Sequence, residues 1–87
     1  MAQPNSKHTD NVSPYNIKGG VFRHYKTAQD YEVVGVALHT ESEELLVIYR
    51  PLYESDHKLF ARPYHMFVGE VEVDNEKVYR FQKIAQK

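Results

Sequence analysis

Two short clusters set side chains able to do chemistry close together. His24-Tyr25-Lys26 sets an imidazole and an ammonium two residues apart, on one face of an extended segment, with Tyr25 on the other. Such a pair suits an anion such as a phosphate, or acid/base work in which each cation depresses its neighbour's pKa. In an enzymatic reading His24 is the acid/base, Lys26 and Arg62 hold an anionic group, and Glu41 orients a histidine. The plainer alternative leaves Lys26 in solvent at a strand end and Tyr25 in the core. His39 and Glu41 make the second cluster at strand spacing. With His24 on an adjacent strand they form two imidazoles and a carboxylate, the donor set of an open zinc or iron site completed by water. No ligand motif of recognised spacing accompanies them, and His8 and His57 sit in polar segments without a partner. No metal or cofactor is therefore expected.

Arg62-Pro63 and Arg80-Phe81 each set a guanidinium beside an apolar anchor. Either arginine pairs with Glu41, Glu44 or Glu70 inside the domain, or it offers a fork to a carboxylate or phosphate ligand. Tyr25, Tyr31, Tyr49, Tyr53, Tyr64, Phe60 and Phe67 exceed what a small core should need. Some of them are expected at the surface, where a ring can stack on a base or cradle a peptide. Ser42 and Ser55 lie in polar loops, and there is no glycine-rich phosphate loop.

The chain as a whole narrows these options. It has 87 residues, no cysteine and no tryptophan, which excludes disulfides, Cys-ligated metals and thiol chemistry. Eleven Lys+Arg against twelve Asp+Glu give a net charge of −1, poorly suited to clamping duplex nucleic acid or an anionic membrane. The apolar runs are too short to span a bilayer and no signal-peptide core is visible, so a cytoplasmic location is expected. Residues 1–18 are polar and read as a flexible tail. Pro14-Tyr15-Asn16-Ile17 within it has the alternative of docking as an extended arm. Residues 19–87 read as one small domain.

The elements that must position these groups are strands. Ten valines against five leucines and three isoleucines, with 13% aromatics, favour pleated, half-buried surfaces. Strands are expected at 21–26, 31–40, 45–49, 59–62, 68–73 and 77–81. Along 31–40, strict alternation places Tyr31, Val33, Gly35, Ala37 and His39 on one face. Pro51 should bend its strand or leave an edge open, and Pro63 can open a single helical turn over 63–67. Asp74-Asn75 suits a tight hairpin. Five to six short antiparallel strands, almost without helix, predict a mainly β fold closed into a small barrel.

The series His24-Tyr25-Lys26, Tyr31-Glu32-Val33, Ala37-Leu38-His39-Thr40-Glu41, Leu46-Val47-Ile48-Tyr49, Leu52-Tyr53, Phe60-Ala61-Arg62-Pro63, Met66-Phe67 and Arg80-Phe81 carries a match that covers residues 20–82. In order and spacing it resembles the bacterial family catalogued as domain of unknown function 1653. Phe60 stands where that family usually has Trp, and Thr40-Glu41-Ser42 stands for its Ser-Glu-Thr. The resemblance implies an SH3-like barrel and no established activity. The leading expectation is a non-catalytic binding module whose shallow polar–aromatic groove is built from His24, Lys26, His39, Glu41, Tyr49, Tyr53, Arg62 and Met66. Its partner would be a protein segment or a small anionic or nucleotide ligand. The alternatives are the small enzyme described above and a purely structural polar network.

Overall fold

Alternating apolar residues at the predicted strand positions pair as antiparallel ladders in the structure, a computed structural model that describes residues 14–87. The strands are β1 (Gly20–His24), β2 (Asp30–Leu38), β3 (Leu45–Pro51), β4 (Phe60–Pro63), β5 (Glu70–Val73), β6 (Glu76–Tyr79) and β7 (Phe81–Gln86), with one helical turn, α1 (Tyr64–Phe67). The mainly β expectation holds, with seven strands among the described residues rather than five to six. Five form a sheet in the order β4-β3-β2-β1-β7, and β5 and β6 form a separate hairpin. The strand read at 77–81 is two: it breaks at Arg80, and Phe81 starts β7 along β1.

A barrel would require β4 and β7 to meet. No ladder joins them, so the hydrogen-bonded sheet is open there. Side chains span the gap instead, with the Arg62 guanidinium of β4 5.4 Å from the ring centre of Phe81 in β7.

Strict alternation fails in the middle of β2. Val33 lies opposite Tyr49, but Gly35 lies opposite Ile48 and Val36 opposite Val47. One extra residue at Val34–Gly35 makes a bulge, which turns Val36 to the face of the buried Val47 and carries Gly35 and Ala37 to the other.

The loops on either side of β2 are built alike. In β1–β2 the His24 amide donates to the Gln29 carbonyl, and the Ala28 amide donates back to the His24 carbonyl. In β2–β3 the His39 amide donates to the Glu44 carbonyl, and the Glu43 amide donates to the His39 carbonyl. Each loop closes through a left-handed residue, Ala28 at φ 61° and Glu43 at φ 64°. Each opening histidine also turns its Nδ1 inward, to accept the amide of Lys26 or of Glu41 and Ser42. The imidazole thus does what an Asp or Asn does in an Asx turn. Both strands consequently end earlier than expected, at His24 and Leu38. The β5–β6 turn is the expected tight one: Asp74 at φ 53° and Asn75 at φ 69° supply the two positive φ values of a type I′ hairpin.

The core is aromatic. Phe22, Val33, Val47, Tyr49, Phe67 and Phe81 form its buried cluster, with Ile17, Tyr31, Phe60, Tyr64 and Val68 packed around it. Phe67 is 0% exposed and stacks on Phe81 at 4.2 Å between centres, with Phe22 and Tyr49 edge-on at 5.2 and 5.1 Å. α1 exists to deliver this ring. Pro63 at φ −53° precedes its first residue, as expected, and Gly69 follows it closely, since a Cβ there would stand 2.8 Å from the His65 carbonyl. The aromatic surplus read from the sequence is therefore largely absorbed by the core.

Residues 1–13 of the expected 1–18 tail lie outside the described residues. The remainder departs from the extended-arm alternative: Pro14–Ile17 form a 3-10 turn, and Ile17 packs on the core. Among the described residues no helix is long and apolar enough to cross a membrane.

Candidate functional site

β1 ends where the chain must turn, which leaves His24 at the lip of the sheet beside its β7 neighbour Phe81. The His24 ring meets the Phe81 ring edge-on at 5.0 Å, and its Nδ1 accepts the Lys26 amide at 3.2 Å. Lys26 therefore belongs to the loop rather than to a strand face. Lys26 is exposed and, among the described residues, has no carboxylate within salt-bridge distance. Partial burial holds the His24 imidazole below its ordinary pKa, and the charges of Arg62, Arg80 and Lys26 press in the same direction.

The two arginines do not form the internal ion pairs considered above. Arg62 donates from Nε to the Tyr49 hydroxyl at 3.3 Å and lies over Phe81. Arg80 donates from Nε to the Met66 carbonyl at 3.1 Å, anchoring itself to the end of α1. Among the described residues the ion pairs are Arg23 with Asp30, and Glu32 with both Arg50 and Lys87. Among the described residues neither Arg62 nor Arg80 has a carboxylate, and the η nitrogens of both are without an acceptor.

Beside these cations lies a tyrosine pair. The hydroxyls of Tyr31 and Tyr53 are 2.9 Å apart, and Tyr31 packs edge-on against Tyr49, Tyr53, Phe60 and Phe81. Burial first, and the bond to Tyr53 second, push the Tyr31 phenol well above its usual value, so it stays protonated. Tyr53 also lines an open groove of about 660 Å³ formed by the loop between β3 and β4, with Arg50, His57, Lys58 and Leu59 around it.

Of the eight expected site residues, His24, Lys26, Arg62 and Tyr53 come to one end of the sheet. Met66 is close by, through its carbonyl on Arg80 and a partly exposed side chain. Tyr49 is a correction. At 5% exposed it is core, and it serves the surface only by holding Arg62. His39 and Glu41 are the other correction. They sit in the loop beyond the opposite end of β2, whose nine residues extend about 30 Å. The two-histidine-plus-carboxylate metal site and the Glu41-oriented catalytic histidine both fail on this separation. Among the described residues no group of three His, Asp or Glu is arranged to hold a metal ion. Arg80, considered in the sequence as a candidate fork beside Phe81, joins this end, and Tyr31 and Phe81 join it without having been expected there.

Comparison with known proteins gives the same outline. The family model described as "Protein of unknown function (DUF1653)" matches residues 20–83. A crystal structure of a DUF1653 protein from Bordetella bronchiseptica is similar, with a TM-score of 0.70 and 27% identity over 80% of this chain and 90% of that one. No curated protein matches.

Proposed function

The chain belongs to the DUF1653 family of proteins of unknown function, and on that premise we propose that it is a non-catalytic binding module for an anionic partner. One observation carries the reading: Arg62 and Arg80 lie near His24 and Lys26 without a carboxylate among the described residues, next to a half-buried tyrosine pair. An uncompensated cationic cluster is a costly arrangement that an anionic ligand relieves. The curled sheet around an aromatic core supports an SH3-like reading of the scaffold, and the groove beside Tyr53 supplies room for the rest of a ligand. The catalytic alternative loses its support with Glu41 at the far end of β2. The purely structural alternative is favoured for His39, whose ring nitrogen is taken up by two loop amides.

Amide-shift titrations by NMR test this, using a panel of nucleotides, short single-stranded oligonucleotides and acidic peptides. Saturable shifts at Tyr25, Lys26, Tyr53, Arg62 and Arg80, with His39 and Glu41 unmoved, are expected. A silent panel at those five positions refutes the proposal.

A further inference from the structure

The donors and charges at this end of the sheet are specific enough to name the anion. His24 Nδ1 is already an acceptor, for the Lys26 amide, so the proton of the neutral ring sits on Nε2 and makes it a donor. Arg62 and Arg80 have each spent only Nε, on the Tyr49 hydroxyl and the Met66 carbonyl, and keep both η nitrogens. Lys26 adds an ammonium. The groups that His24, Lys26, Arg62 and Arg80 keep uncommitted are thus all donors, and a ligand gripped by these four must accept. Carboxylate, phosphate and sulfate meet that condition.

Charge separates them. With His24 neutral the cluster carries three positive charges, from Lys26, Arg62 and Arg80. A carboxylate or a phosphodiester compensates one of them. A phosphate monoester near neutral pH compensates close to two, and offers three terminal oxygens in place of two. Two guanidinium forks on separate segments, β4 and the residue before β7, suit a tetrahedral group that can be gripped from two sides. Resting on the binding-module reading above, we infer that this site takes the terminal phosphate of a small phosphate monoester, its organic part directed toward Tyr53 and the 660 Å³ groove. The charged and titratable groups facing that phosphate are Lys26 from the β1–β2 loop, Arg62 from β4, Arg80 from the β6–β7 junction, and His24 itself. Protonation of His24 would fall on Nδ1, which already accepts the Lys26 amide, so His24 serves the phosphate as a neutral Nε2–H donor.

The source of the phosphate is open between nucleosides and sugars or polyols, and two arms separate them. The full chain is titrated with phenyl phosphate, benzoate and methyl phenyl phosphate, then with adenosine 5′-monophosphate and glycerol 3-phosphate, following amide shifts and the His24 ring protons. Phenyl phosphate is expected to bind at least about tenfold more tightly than the carboxylate or the diester. Arg80→Gln and Lys26→Gln should each weaken it about tenfold, one charge-assisted hydrogen bond each, with unchanged shifts elsewhere certifying the fold. Preference for the adenosine compound identifies a stacked base, and equal binding of both identifies the phosphate alone. If benzoate or the diester binds as tightly as phenyl phosphate, the phosphate assignment is overturned while the module stands. If all five probes are silent but an acidic peptide still moves the site, the assignment also fails alone. If nothing moves it, both fall.

Discussion

Replacing Phe67 by Ala removes the ring on which the core and the cationic end both rest. Phe67 is fully buried, stacked on Phe81 at 4.2 Å, and touched edge-on by Phe22 and Tyr49. It is held by a four-residue helical turn flanked by Pro63 and Val68, which cannot slide inward to refill the space. A Phe→Ala cavity in such a site costs about 3–5 kcal/mol. A fold the size of residues 14–87 has about 4–11 kcal/mol in total, so the variant loses between about a quarter and all of its stability. The assay is urea unfolding followed by far-UV circular dichroism and tyrosine fluorescence, since the chain has seven Tyr and no Trp. With a urea dependence of about 1 kcal/mol per molar, the midpoint falls by about 3 M or the variant is already largely unfolded in water. Phe67→Leu keeps most of the volume and should cost less than half as much. It still loosens Phe81 beneath Arg62, so it should blur the Arg62 side-chain signals in a folded protein. A loss below about 1.5 kcal/mol for Phe67→Ala would refute the reasoning, because it would mean the neighbouring rings close over the gap.

Two further outcomes follow from particular residues. The folded-state pKa of His24 lies below its ordinary value of 6.5, so an acidified unfolded chain binds a proton that the fold resists. Its contribution to stability is complete above pH 6.5 and declines as pH drops below that toward the folded value. His24→Asn, which keeps an acceptor for the Lys26 amide, should unfold in urea with a shallower pH dependence between 7.5 and 5, and identical slopes would contradict this. Glu43 sits at φ 64° with an exposed side chain, so Glu43→Gly should relieve left-handed strain and raise the unfolding midpoint, by about 0.5 kcal/mol after glycine's own entropy cost. A lowered midpoint would show that the Glu43 side chain stabilises the loop more than its backbone strains it.

Where residue type alone dictates local geometry, the chain was legible from sequence. β-branched runs marked β2 and β3, Asp74-Asn75 marked the hairpin, and Pro63 marked the helical turn. Three features were not, each because tertiary pairing decides them. Five of the six residues of β7 are polar or small, or exposed as Ile84 is, and all five are exposed; only Phe81 is buried, so no apolar pattern announces the strand. The bulge at Val34–Gly35 depends on the partner strand's register, which no single-strand periodicity contains. His24 and His39 looked like ligands because spacing in sequence says nothing of which end of a strand a residue occupies. Their real similarity is that each opens a loop of the same construction. The site was half legible for the same reason. Arg62 and His24 were identified by type, whereas their meeting, with Arg80 joining them, depends on the curl that brings β4 over β7.

The pairing of β1 with β7 also bears on how the scaffold can be rearranged. The Lys87 amide donates to the Gly19 carbonyl at 2.8 Å, so these two points of the backbone are direct neighbours. A short peptide graft joining them in place of residues 1–18, with the chain reopened at the exposed residues 41–43, would give a circular permutant that retains every sheet ladder and forgoes the packing of Ile17 on the core. The same adjacency makes the fold a cassette: a host protein could carry it within a single surface loop, entering and leaving at one place. The cationic end, on the β4–β7 side, would remain facing outward from the host.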